Sequence, residues 1–262
     1  FEELIESYVY DNLRSCLQDF QPFKQEKFEI TEEGDLEVEV TITSKDVDVF
    51  VEYPLMIKKS FETSGRPINQ FFIEVPINLA KIHQLAKEIT ISEQENTFLE
   101  RNIGVLIASF ARAESDMLPP WQETDWGCGP GIQWSKTNVK ENMLKNILMI
   151  YTPITQIFAS KNYVEFNLSN NVSQGIYNQF TIPINPYLSN EFEVTFDYLG
   201  WPYYLDIKPS DGDTIRPLDL GLSVENLPML NFCMLTYRYM YDVSHPVLVQ
   251  ITDSEAFGKE GF

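Results

Sequence analysis

Three kinds of residue in this chain could do chemistry: closely set carboxylates, cysteines, and tryptophans gathered in one irregular stretch. They meet in Leu118-Pro-Pro-Trp-Gln-Glu-Thr-Asp-Trp-Gly-Cys-Gly-Pro-Gly-Ile-Gln-Trp134. Glu123 and Asp125 are candidates for the acid and base of a glycan hydrolase, which needs two carboxyl groups flanking the scissile bond. Trp121, Trp126 and Trp134 could form an aromatic platform for a sugar or a peptide. The same rings could instead pin the loop to a core. Packing is the commoner use of large aromatics and is the preferred reading. Two acids on one loop do not by themselves make a catalytic pair.

Other chemistries lack their parts. A nucleophilic triad needs Ser or Cys beside His and a carboxylate. The chain has two histidines and no Gly-x-Ser-x-Gly. His83 falls on the apolar stripe of a predicted helix, and His245 precedes Pro246 at a predicted strand start. Cys16, Cys128 and Cys233 are too isolated to form a zinc site. Asp211-Gly-Asp213, with Asp206 nearby, could offer oxygens to calcium, but Asp and Gly in that order suit a hairpin turn better. Gly127-Cys-Gly-Pro-Gly131 lacks the Lys-Ser/Thr and the preceding strand of a phosphate-binding loop. No metal and no cofactor are expected.

Bulk properties narrow the partners. The 262 residues carry a net charge of −20 and are 44% hydrophobic, a globular composition. So acidic a surface repels phosphate backbones and anionic headgroups, which excludes nucleic acid as a partner class. No apolar run reaches the roughly 18 residues that span a bilayer, so direct membrane insertion is not expected. Asn167-Leu-Ser169 and Asn171-Val-Ser173 are N-glycosylation sequons, which support an exterior protein. The chain begins at Phe1 and ends at Phe262 inside strand-like sequence, the expectation being an excised ectodomain or a processed chain.

The elements that must position these residues follow from periodicity. Leu4, Ile5, Tyr8, Val9, Asn12, Leu13, Cys16 and Leu17 mark one helical face, with Cys16 on its buried side. Period two then predicts strands at Phe28–Ile30, Leu36–Ile42, Val47–Tyr53 and Phe71–Val75, an antiparallel meander covered by a helix over Leu79–Ile89. Ser92 and Glu95 form a capping box for a second helix, and Ser135 caps a third that Pro153 ends. Strands are predicted at Tyr163–Leu168, Ile176–Ile184, Glu191–Tyr198, Tyr203–Ile207, Met234–Tyr241 and Val247–Ile251. The fold class is α+β: an N-terminal antiparallel meander packed by helices, followed by a mostly antiparallel β half. The domains are 1–155, with the Trp/Cys loop, and 156–262, mostly β.

The odd cysteine count bears on compartment. Cys128 lies in a Gly/Pro loop where a covalent tie removes much freedom, and Cys233 starts a predicted strand after an irregular segment. A Cys128–Cys233 disulfide is expected, closing about a hundred residues and stabilising by roughly 4–5 kcal/mol in the chain-entropy model. Cys16 is expected to stay unpaired within this chain. The alternative is three reduced cysteines packed as small hydrophobes.

Several stretches resemble a family of uncharacterised archaeal surface proteins. They are Tyr8-Val-Tyr-Asp-Asn-Leu-Arg-Ser-Cys-Leu-Gln-Asp-Phe20, the strands to Tyr53-Pro-Leu, Phe71-Phe-Ile-Glu-Val-Pro-Ile-Asn-Leu-Ala80, Leu118-Pro-Pro with Cys128 and Trp134, and Tyr239-Met-Tyr-Asp-Val-Ser-His-Pro-Val-Leu-Val249. The resemblance implies an extracellular body behind an N-terminal pilin-like membrane anchor, and a partner for Cys16 in upstream sequence. It implies no activity. The functional expectation is a non-enzymatic extracellular ectodomain, glycosylated, for adhesion, surface assembly or binding of a protein or glycan at the cell surface. The alternative is a glycan-acting hydrolase with paired carboxylates in an aromatic-lined cleft. The oligomeric state stays open.

Overall fold

The computed structural model describes residues 1–111, 117–126, 129–167, 171–219, 222–223, 231–232 and 234–256. Helices and mostly antiparallel strands make the chain α+β. It divides into two compact units: Phe1–Lys87 with the stretch from Asp253, and Glu88–Thr252. The expected 155/156 division runs through the second unit.

The first unit is built on one strand. Its elements are α1 (Glu2–Cys16), α2 (Gln21–Gln25), β1 (Phe28–Glu32), β2 (Glu37–Ile42), β3 (Val47–Lys59) and β4 (Arg66–Val75). Val47, Val49, Val51, Tyr53 and Leu55 of β3 are buried on one face. The alternation continues beyond Tyr53, so β3 runs on as well. Pro54 sits where the β3–β4 register shifts, and its missing N–H costs little there. β2 pairs with the first half of β3 and β1 with the second half, while β4 runs along the opposite edge. The expected meander is therefore incomplete: β1 pairs with β3, not β2. Glu33 N–H donates to Pro54 O, holding the turn that carries the chain between the two halves.

Only one row of α1 packs on this sheet. Ile5, Val9, Leu13 and Leu17 are half-buried against it, while Leu4, Tyr8 and Cys16 are exposed. The expectation that Cys16 lies on the buried side is corrected. A helix lying on a sheet buries a stripe, and the adjacent row falls outside it. Glu6 and Glu2 accept from the N–H groups of Val40 and Ile42, at 3.0 and 2.9 Å. Those carboxylates close the free edge of β2. On the opposite sheet face, Glu37 stands across from Glu52, and Asp48 from Glu74, with Phe50 and Phe72 paired between them.

Helix α3 (Leu79–Asn96) buries Ile82, Leu85 and Ile89. His83, expected on that stripe, is exposed, with its ring edge-on to Phe1. The expected break at Ser92 lies inside α3. The chain turns later, at Thr97 (φ +50°), and α4 (Phe98–Phe110) follows. Glu93 accepts the Leu99 N–H, so α4 is capped from within the preceding helix and no Ser–Glu box forms.

α4 supplies Ile103, Leu106 and Ile107 to the core of the second unit. Then come β5 (Gln122–Asp125), β6 (Trp134–Ser135), α5 (Lys136–Asn138), a π-helical segment Val139–Leu144, and α6 (Lys145–Tyr151). Next are β7 (Gln156–Ile157), α7 (Asn171–Gln179), β8 (Thr181–Ile182), α8 (Pro186–Ser189), β9 (Glu193–Asp197) and β10 (Tyr204–Lys208). Short β11 (Thr214–Ile215), β12 (Leu218–Asp219), β13 (Leu222–Ser223) and β14 (Asn231–Phe232) precede β15 (Leu235–Arg238), β16 (Met240–Ser244) and β17 (Leu248–Thr252). Residues 163–167 form no strand. Most of the expected Ile176–Ile184 strand belongs to α7 and a turn, because Val172, Ile176 and Phe180 recur every four residues, a helical spacing. The β7–β8 pair is parallel; the other pairs among the described residues are antiparallel.

Ser135 caps α5 as expected, its Oγ accepting the Asn138 N–H at 3.1 Å. Asp213 accepts from Ser135 Oγ, Thr137 N–H and Thr137 Oγ1 at 2.6–2.8 Å. These donors hold its carboxyl below the usual range, with the Ser135 hydroxyl contributing most. Asp213→Ala is expected to lower the melting temperature by about 2–4 °C through loss of the cap, with Asp213→Asn less damaging. A depressed carboxyl stabilises above its unfolded pKa and loses that contribution as pH falls through its folded value. The difference between wild type and Asp213→Ala should therefore shrink in acid, as read by thermal melts at pH 7 and pH 3.

Candidate functional site

The Leu118–Trp134 stretch is a strap whose ends are fastened and whose residues 124–126 and 129–130 are exposed. Among the described residues β5 is an edge strand bonded only to β15, which is bonded in turn to β12. At one end, Trp121 O accepts the Tyr239 N–H at 3.1 Å, and Tyr241 Oη donates to Pro119 O at 2.5 Å. Burial pushes the Tyr241 phenol far up, so it stays a donor. At the other end, Ile132 N–H donates to Tyr237 Oη at 3.1 Å. Gly131 has φ +66°, and a Cβ there would lie 2.7 Å from Tyr237 Oη and 2.6 Å from Pro217. That close approach requires glycine.

The three tryptophans differ in burial. Trp134 is 6% exposed and stands edge-on to Tyr237 and Tyr239, with centroids 5.9 and 6.0 Å away. It is the pin. Trp126 is 71% exposed and Trp121 46%, so neither is a core residue. Trp121 leans on α4, where a Cβ at Gly104 would come within 3.1 Å of its Cη2.

Two recesses flank β5. A recess of ≈ 320 Å³ is lined by Glu123, Asp125, Ile132, Trp134 and Tyr237 among others. Strand alternation places Glu123 and Asp125 on one face, across from Tyr237 and Leu235. They project side by side from one wall, about 7 Å apart along the strand, and among the described residues no other acid lines the recess. A glycosidase needs its carboxyls on either side of the bond it cleaves. The second recess, ≈ 550 Å³, is walled by Trp121, Tyr241, Val243, Gln179, Glu100 and Arg101, with α4 behind.

A carboxyl pair that sequence reading missed stands at the start of α4. Both oxygens of Glu93 accept the Leu99 N–H at 3.2 Å, and the Glu93 carboxyl is hydrogen-bonded to Glu100. Burial first, then the Glu100 contact, push Glu93 up to about 7. His245 is pushed down by burial, against the pull of Glu100. The seven-residue spacing of the two glutamates gives no signal for this pair, because they lie on different helices and the turn at Thr97 brings them together.

The remaining expected residues stay apart. Asp206 is bound by Lys136 at 2.7 Å and Lys208 at 3.2 Å, while Asp211–Asp213 is a turn with Gly212 at φ +58°. No group of three metal-ligating side chains occurs among the described residues. Asn167 is exposed, and Asn171 begins α7. Cys128 and Cys233, the expected bridge, lie outside the described residues; Cys16 is free. No helix among the described residues is long and apolar enough to cross a membrane. No family model matches the chain, and neither does any curated protein or solved structure.

Trp134→Ala is expected to cost about 3–5 kcal/mol of stability, and Trp126→Ala less than about 0.5 kcal/mol; urea unfolding of the two variants measures both. The Glu93 shift predicts a pH effect of opposite sign to that of Asp213. A carboxyl whose folded pKa is raised binds its proton more tightly when folded, so stability falls as pH rises from 4.5 to about 7. Glu100→Gln should flatten this slope, as read from denaturation midpoints at pH 5 and pH 8.

Proposed function

We propose that the chain is a non-enzymatic binding module of the cell exterior, serving adhesion, surface assembly or partner binding. It engages a protein or glycan partner through the Trp121–Trp126 edge. The observation that carries this reading is the exposure of Trp126 and Trp121 at the two ends of an edge strand that bears Glu123 and Asp125. Exposed indoles supply stacking area at low entropic cost, and adjacent carboxylates favour a partner with cationic groups. The net charge of −20 works in the same direction. The exterior placement rests on the sequons, with Asn167 exposed, and on the resemblance to membrane-anchored archaeal surface proteins. The side-by-side placement of Glu123 and Asp125 counts against the hydrolase reading.

The test is a binding screen of the full chain against glycan and basic-peptide arrays, followed by titration of hits. Trp126→Ala with Trp121→Ala should weaken binding at least about tenfold, and Glu123→Gln with Asp125→Asn should weaken cationic partners selectively. Hits indifferent to both pairs of changes would move the site elsewhere. Glycan cleavage by wild type that Glu123→Gln abolishes would make the chain an enzyme instead.

A further inference from the structure

The first unit contains a groove that the binding edge of the second does not use. It has a volume of ≈ 670 Å³, and every residue lining it is aliphatic or aromatic. Val51, Phe71 and Ile73 contribute to its floor, Leu13 of α1 to its wall, and Phe23 and Phe28 lie at the α2–β1 end. It exists because α1 packs toward β2 and leaves the β4 side of the same sheet face open. Phe71 and Ile73 accordingly remain 44% and 58% exposed. Grooves of this size and character are usual for small apolar ligands.

Charge at one end narrows the ligand. Lys59 Nζ stands 5.5 Å from the centroid of Phe28, a groove-lining ring, and Lys27 Nζ lies 5.6 Å from that of Phe61. The backbones of the two lysines are neighbours, because Phe28 pairs with Lys59, and Ser60 donates to Lys27 O through both N–H and Oγ. Glu26, Glu29 and Glu62 share this end of the unit, with Glu29 across from Lys58. Among the described residues, neither Lys27 nor Lys59 forms an ion pair. The chain has 39 acids for 19 basic residues, so two cations without an acid partner beside an apolar groove are an unusual local arrangement.

We infer that the groove binds a long-chain fatty acid, with the tail lying over Val51, Phe71 and Ile73 and the carboxylate at Lys27 and Lys59. The tail supplies the affinity through burial of its methylenes. The head sets the direction of entry: Arg66, across from the groove-lining Ile57, adds a cation toward the same end, while Arg14 is already engaged by Glu32 and Tyr53. This inference is independent of the Trp121–Trp126 reading, and either can fail alone.

The experiment is calorimetric titration of the full chain with straight-chain carboxylates of increasing length, each below its micelle concentration. Affinity should rise about fourfold per added methylene until the tail outgrows the groove. Ile73→Glu, at an exposed position, should weaken binding at least about tenfold, with thermal melts checking the fold. Phe71→Asn serves if that variant does not fold. Lys27→Glu with Lys59→Glu should weaken dodecanoate about tenfold and leave dodecanol unchanged. Failure to bind any carboxylate, equal affinity for dodecyltrimethylammonium, or indifference to Ile73→Glu would each overturn the inference. So would sedimentation with anionic vesicles without binding of free fatty acid, or a dimer that Ile73→Glu dissociates, since the groove would then belong to a membrane surface or a second copy.

Discussion

The burial of Trp134 between Tyr237 and Tyr239 is the contact on which the second unit and its candidate site depend. A strap with two adjacent prolines and three glycines cannot hold itself by regular hydrogen bonding. It is held by one large ring, by the Tyr237 hydroxyl reached through Gly131, and by the short β5–β15 ladder. That fastening fixes where β5 ends, and with it the directions of Trp121 and Trp126. Among the described residues neither Trp134 Nε1 nor Tyr239 Oη has a hydrogen-bond partner, and the contacts the two rings make with each other are apolar and edge-on.

The first unit depends on a different constraint, the unbroken alternation of β3. Because β3 is thirteen residues long, it can serve β2 and β1 in succession on one edge and β4 on the other. The two outer edges are then treated differently. Carboxylates from α1 reach over β2 and occupy its backbone donors. β4 carries Phe71, Phe72 and Ile73 in the open. Edges of the second kind are the ones at which proteins recruit something.

Much of the fold was readable from local patterns, and the misses share a cause. The strands of the first unit follow from period-two alternation, but their pairing does not: nothing in Phe28–Glu32 says that its partner is the far half of β3 rather than its neighbour β2. The α1 stripe was drawn one row too wide because Leu4, Tyr8 and Cys16 satisfy the same spacing rule as Ile5, Val9 and Leu13. Only the width of the opposing sheet decides between them. The α4 cap was misplaced because Glu93 acts across a helix break set by the left-handed backbone of Thr97, which composition does not announce. For the strap, the sequence identified the right stretch yet could not say which indole is buried, since that depends on two tyrosines a hundred residues away.

The outer face of the first sheet has a consequence of its own. Glu37 faces Glu52 and Asp48 faces Glu74, directly across neighbouring strands. Such pairs repel, and the repulsion is carried by the same β2–β3–β4 hydrogen bonds that hold the sheet together. Counterions gather where like charges crowd, and they shorten the reach of that repulsion to a few ångströms in concentrated electrolyte. This half of the molecule is thus tuned to its solvent. It is slackest in fresh water and tightens in brine.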